Sequence, residues 1–191
     1  NTIIHTAAIS SMEKCEVQPL EAIKTNIYGT QNLVNAVKNK KKNFNFIYIS
    51  SDGVYSPIKG NNKENDKLEP YNFYCWTKLC GEKIVSSLDQ YIIIRTRFFD
   101  KDKFKYKNYA TDIYSSSIEV SKLAEIIEIL LKKNFKGVIN IGDKKDSNFN
   151  KAIIYNSKIQ PCRYKDLTKN IKFTIAKDSS MNLSKMKSVI N

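Results

Sequence analysis

A chain of 191 residues is long enough for one domain with a substantial core, and its formal charge of +13 rests almost wholly on scattered lysines. The arginines are Arg95, Arg97 and Arg163 alone, which speaks against nucleic-acid readout and leaves a field suited to recruiting an anionic small molecule. No apolar run approaches a membrane span and no signal-peptide pattern opens the chain, so no membrane partner and a cytoplasmic location are expected.

The elements alternate. Thr2 to Ala8 reads as a short buried strand ending in small residues. Val17 to Val37 reads as a helix, with Pro19 near its start and apolar residues at 20, 23, 27, 33, 34 and 37. Phe44 to Ile49 is a β-branched and aromatic strand that runs into Ser50-Ser51-Asp52-Gly53. Residues 54–70 form a polar loop with two prolines and Gly60. A helix opening at Tyr74 follows, with apolar positions at 76, 79, 80, 84, 85 and 88, and then the continuous apolar strand Tyr91 to Arg95. Glu119 to Lys132 is an amphipathic helix, and Lys136 to Gly142 a further strand; the remaining tail is polar. Strands alternating with helices predict a parallel α/β sheet with right-handed crossovers, whose ligands bind at the carboxyl ends of the strands. Ala7-Ala8, Ser50-Ser51 and the start of the Tyr74 helix gather at that edge.

The chemistry sits in Tyr74-Cys75-Trp76-Thr77-Lys78. Residues four apart on a helix share a face, so an ammonium at 78 is expected to draw the Tyr74 phenol below its ordinary pKa. Ser51 adds a hydroxyl, and a Tyr, Lys and Ser trio suits carbonyl–alcohol redox chemistry with a nicotinamide. A second pair, Tyr55 and Lys59, contains Pro57 and runs into Gly60, so it lies in a loop and shares no helical face. Against these stand plainer readings: Ser51 as a turn cap, Lys78 as a surface lysine and Glu82 as an ordinary helix-face charge. His5 reads as structural. The cysteines, Cys15, Cys75, Cys80 and Cys162, contain no C-x-x-C pair, and with one histidine they build no common zinc site; reduced thiols are expected.

Taken together, Ile3-Ile4-His5-Thr6-Ala7-Ala8, Thr25-Asn26 to Leu33, Tyr48 to Tyr55, Glu64-Asn65-Asp66 with Pro70, and Tyr74 to Glu82 resemble the extended short-chain dehydrogenase/reductase superfamily. Ile94-Arg95-Thr96, Ser116 to Val120, Gly137 to Gly142 and Asp178 to Lys185 continue the likeness, which is nearest to the dTDP-4-dehydrorhamnose reductase group of sugar-nucleotide reductases. The resemblance implies a partial Rossmann-like, doubly wound parallel sheet: residues 1–97 as the carboxyl half of the dinucleotide-binding domain, and 98–191 as a mixed, substrate-side region whose helix and strand return at about 117–142. It implies Tyr74 as general acid, Lys78 and Ser51 as its catalytic partners, and Ala7, Ala8, Ser50, Tyr74 and Lys78 as contacts of NAD or NADP, with Asn26 as a structural asparagine. It further implies a nucleotide-linked 4-keto sugar as substrate and a homodimer as the assembly. A redox-neutral epimerase or dehydratase, and a non-catalytic dinucleotide-binding subunit, are the alternatives. Two departures stand out. The Gly-rich phosphate turn is missing and is expected upstream of Asn1, so the chain reads as a fragment that is inactive alone. Only about a dozen residues, Phe98 to Ala110, occupy a connection where the family has a longer insertion.

Overall fold

The computed structural model describes residues 1–40, 44–104 and 106–191. Strand β1 (Thr2–His5) leads to helix α1 (Met12–Val17), whose first turn is capped where Ser11 Oγ accepts the Lys14 N–H at 3.2 Å. Gln18 breaks the helix at φ −127°, and Pro19 starts α2 (Pro19–Ala22) at the position where a missing N–H is harmless. A π-helical segment, Ile23–Tyr28, and α3 (Gly29–Lys38) complete the crossover. The single helix expected over 17–37 is therefore longer at its amino end, broken at Pro19, and widened around Asn26.

Strand β2 (Asn45–Ile49) ends in a 3-10 turn at Asp52–Val54, and α4 (Phe73–Val85) starts where Asn72 Oδ1 accepts the Cys75 N–H at 2.9 Å. After β3 (Tyr91–Thr96) the chain makes four short strands: β4 (Phe98–Phe99), β5 (Asn108–Ala110), β6 (Tyr114–Ser115) and β7 (Ile118–Glu119). Helix α5 (Val120–Lys132) and β8 (Gly137–Ile141) follow, then β9 (Asp146–Ser147), α6 (Asn148–Ile153), β10 (Gln160–Cys162), α7 (Tyr164–Thr168) and α8 (Ser184–Ile190).

The main sheet has the order β1-β2-β3-β8 and is parallel throughout, with Ile47 opposite Ile92 and Ile94 opposite Ile139. This is the Rossmann-like α/β arrangement. Because side chains alternate across a strand, β2, β3 and β8 bury both faces. Ile47, Ile49, Ile92, Ile94, Ile139 and Ile141 meet Leu123, Ile127 and Leu130 of α5 and Met186 of α8. Phe46, Tyr48 and Ile93 meet Val34 of α3, with Val85 and Leu88 at the end of α4. The first of these clusters draws on residues either side of position 97: β8 completes the sheet that begins at β1, and α5 and α8 pack on it.

The segment 54–70 is more than a polar loop. Val54 and Tyr55 are fully buried against Met181, with Leu68 and Leu183 beside them, and Asn62 bridges to Met181. The tail is thus tied to the edge of the sheet. Among the described residues, no helix is long and apolar enough to cross a membrane.

Candidate active site at the carboxyl edge of the sheet

The carboxyl ends of β1, β2 and β3 open onto a cleft of about 740 Å³. Ala8, Ser50, Ser51, Tyr74 and Lys78 all line it. Ala7 is exposed and does not line the cleft itself, though its neighbours Thr6 and Ala8 do. The sheet explains the gathering. β2 and β3 run in register, and Ser50 continues the ladder by donating its N–H to the Ile94 carbonyl at 2.7 Å. Ser51 and Asp52 therefore stand beside Thr96 and Arg97, where both strands end.

Lys78 is buried, at 3% exposure, and its Nζ sits 4.1 Å from the centre of the Tyr48 ring. Burial pulls the ammonium down to about 7, against the pull of Glu82 in the other direction. The ring face supplies cation–π attraction without a neutralising charge. Beneath it His5 accepts or donates at 2.9 Å to the Thr30 hydroxyl, and burial holds the imidazole below its usual value, with Lys78 adding to the effect. The structural reading of His5 agrees with that placement.

Tyr74 differs from expectation. Its phenol lies above the ordinary tyrosine range, chiefly through burial and then through Cys75 and Asp52, while Arg97 opposes the rise. The amine at 78 is not among the main causes of that shift, and among the described residues no hydrogen bond joins the two side chains. The predicted lowering of Tyr74 by Lys78 is thus corrected: desolvation wins, and the amine's flexible end is turned onto Tyr48.

Ser51 caps the turn and lines the cleft at once. Its Oγ accepts the Gly53 N–H at 3.0 Å and lies 3.3 Å from Asp52 Oδ1. Asp52 is 1% exposed, and Arg97 donates Nε to its Oδ2 at 2.6 Å and Nη2 to its Oδ1 at 3.2 Å. A two-pronged guanidinium grip of this kind satisfies a carboxylate that burial would otherwise penalise.

Glu82, expected on an exposed helix face, is 3% exposed and accepts from Ser50 Oγ at 2.6 Å and from Arg95 Nη2 at 2.7 Å. Arg95 continues to Tyr55 Oη at 2.8 Å, whose hydroxyl donates to Asn140 Oδ1 at 2.8 Å. This polar chain joins α4, β3, β8 and the 54–70 segment. Asn26 fulfils the structural role expected of it. Its Nδ2 donates to the Ile9 carbonyl and to Thr77 Oγ1, and its Oδ1 accepts the Ile9 N–H, so the π-helical segment ties the end of β1 to α4 beside Lys78.

The outer wall of the cleft comes from the segment that sequence reading treated as a bare connection. Phe99, Phe104, Tyr106 and Tyr109 line it, and Phe104 stacks on Tyr155 at 6.2 Å and 22°. Lys151 of α6 also lines it, donating to the Ser117 carbonyl at 2.8 Å, with burial lowering the amine to about 8. The density of aromatics between positions 98 and 109 was the available signal; Asp52, Arg97 and Lys151 carried none that composition could separate from surface charge.

A family model described as the RmlD substrate binding domain matches residues 1–140. Among curated proteins, dTDP-4-dehydrorhamnose reductase of Aggregatibacter actinomycetemcomitans is 26% identical over 132 residues, 68% of this chain and 42% of that protein. A hypothetical dTDP-4-dehydrorhamnose reductase from Sulfolobus tokodaii superposes with a TM-score of 0.85 and 28% identity, over 98% of this chain and 72% of that one. The corresponding reductase of Bacillus anthracis, solved in complex with NADP, shares the fold at a TM-score of 0.84 and 21% identity, over 98% of this chain and 73% of that one. The chain spans less than half the length of the curated relatives it matches.

Proposed function

The chain belongs to the RmlD substrate binding domain family, and on that premise we propose that it carries the catalytic edge of an NAD(P)-dependent reductase of a nucleotide-linked 4-keto-6-deoxy sugar. One observation carries the proposal: Ser51, Tyr74 and Lys78 line a single cleft at the carboxyl ends of β2 and β3. The residues present suit a nicotinamide dinucleotide. Short side chains at Thr6, Ala8 and Ser10 leave room beside the end of β1, and Lys78 makes no ion pair with a carboxylate among the described residues, so its N–H donors are available to ribose hydroxyls.

When bound, such a cofactor supplies hydride to a ketone carbon. Tyr74, kept protonated near neutral pH by its burial, holds the proton that the developing alkoxide takes. Ser51 Oγ turns from Asp52 toward the same oxygen, where charge grows only as the reaction proceeds. Arg97 offsets the Asp52 charge beside that oxygen, and the aromatic wall keeps water from the cleft's outer side. The proposal covers NAD and NADP alike.

The test is nicotinamide oxidation by the full-length protein, followed by absorbance, with a dTDP-linked 4-keto-6-deoxy sugar. Tyr74→Phe should lose roughly two to four orders of magnitude in kcat, with an unchanged circular dichroism spectrum. Turnover equal to that of the unaltered protein, or sugar conversion without nicotinamide oxidation, would sink the assignment.

A further inference from the structure

Ser50 and Ser51 are neighbours at the end of β2, and both line the cleft. Their hydroxyls nevertheless face opposite demands. Ser50 Oγ lies 2.6 Å from Glu82 Oε1, and Glu82 is held by Arg95 through Nε at 3.0 Å and Nη2 at 2.7 Å. A carboxylate paired with a guanidinium offers lone pairs only. The single hydroxyl proton of Ser50 is therefore committed to Glu82, in a short bond to a charged acceptor. What Ser50 Oγ has left for any other partner is lone pairs.

Ser51 is the reverse case. It already accepts the Gly53 N–H at 3.0 Å, and its proton rests against Asp52 Oδ1 at 3.3 Å. Arg97 occupies both oxygens of that carboxylate. A long bond to an acceptor already served is readily exchanged for a better one.

We infer that Ser50 is a ligand-binding residue of fixed polarity, accepting a hydrogen bond from a hydroxyl or amide N–H of the molecule in the cleft while Ser51 donates to its carbonyl oxygen. The inference rests on the reductase reading of this site. Two sources carry the required donor: the carboxamide of a nicotinamide and a sugar hydroxyl beside the ketone. An analogue that presents an acceptor to Ser50 sets lone pair against lone pair and leaves two groups unsatisfied, the situation in which polar sites discriminate most strongly.

Three measurements on the full-length protein and on its Ser50→Ala variant test this. In the ligand-free protein, proton NMR should show a slowly exchanging hydroxyl signal with cross-relaxation to the Glu82 side chain, absent from Ser50→Ala. Dissociation constants are then compared for NADH or NADPH, whichever binds the tighter, and for its acetylpyridine analogue, whose acetyl group has no N–H. If the carboxamide is the donor, the protein should prefer the natural dinucleotide by about tenfold and Ser50→Ala should abolish the preference. If the sugar hydroxyl is the donor, Ser50→Ala should leave both dinucleotides unchanged and raise KM for the keto sugar by about tenfold with little change in kcat. A Ser50→Ala variant that changes neither quantity overturns the inference, as does a missing hydroxyl signal. Failure of the unaltered protein to bind either ligand sinks the reductase reading together with the ligand half of the inference, whereas the hydroxyl signal reports on the polarity alone.

Discussion

Arg97 grips Asp52 by both carboxylate oxygens, at 2.6 and 3.2 Å, one residue beyond the hydroxyl of Ser51. The Asp52 side chain is 2% exposed and the Arg97 side chain 30%. The pair is set at the ends of two adjacent parallel strands, where a local rearrangement of either strand would separate them.

Removing one member leaves a buried charge without compensation. Arg97→Ala should destabilise the fold by roughly 3–5 kcal/mol, as for a broken buried pair. Asp52→Asn in the same background should recover most of that loss. Urea denaturation of the two single variants and the double variant checks this, and strictly additive losses would show that the pair is not coupled.

Lys78 makes stability depend on pH in a stated direction. Its folded value of about 7 lies below the 10.5 of a free lysine, so between those values the unfolded chain holds a proton that the folded chain does not. Stability then rises with pH across that window. Relative to Lys78→Met, the protein should gain roughly 1–2 kcal/mol between pH 7 and pH 9. A difference that stays flat over those two units, measured by denaturant titration, would mean the amine remains an ammonium when buried.

Gly81 matters for what its missing side chain allows. A Cβ there would run into the hydroxyl and ring of Tyr48, which is fully buried and supports the Lys78 amine. Gly81→Ala gains about 1 kcal/mol of helix propensity. Overpacking of roughly 1–3 kcal/mol should outweigh that gain. A net fall in melting temperature is expected; a rise would show that the Tyr48 ring has free space to move into.

The strands were legible because β2 and β3 are buried on both faces and read as continuous apolar runs. Helix α4 was legible because its apolar positions recur with the helical period, and that period also separated Tyr74 and Lys78 from the decoy at Tyr55 and Lys59. The break at Pro19 had a local cause that could have been read; the π-helical turn at Asn26 had none, since it answers to Ile9 and Thr77, distant in sequence.

Sequence by itself determined the alternation of strands and helices, the presence of Ser51, Tyr74 and Lys78 at one edge, and the family. Tertiary structure alone decided how those groups are charged and oriented. Helical spacing places two residues on one face, but desolvation depends on everything packed above them, so Tyr74 is raised where the Tyr74–Lys78 spacing suggested it would fall. Glu82 looked like a surface charge until β3 brought Arg95 against it and β2 brought Ser50. Electrostatic environment is set by neighbours that meet only when the sheet assembles, and no local pattern encodes them.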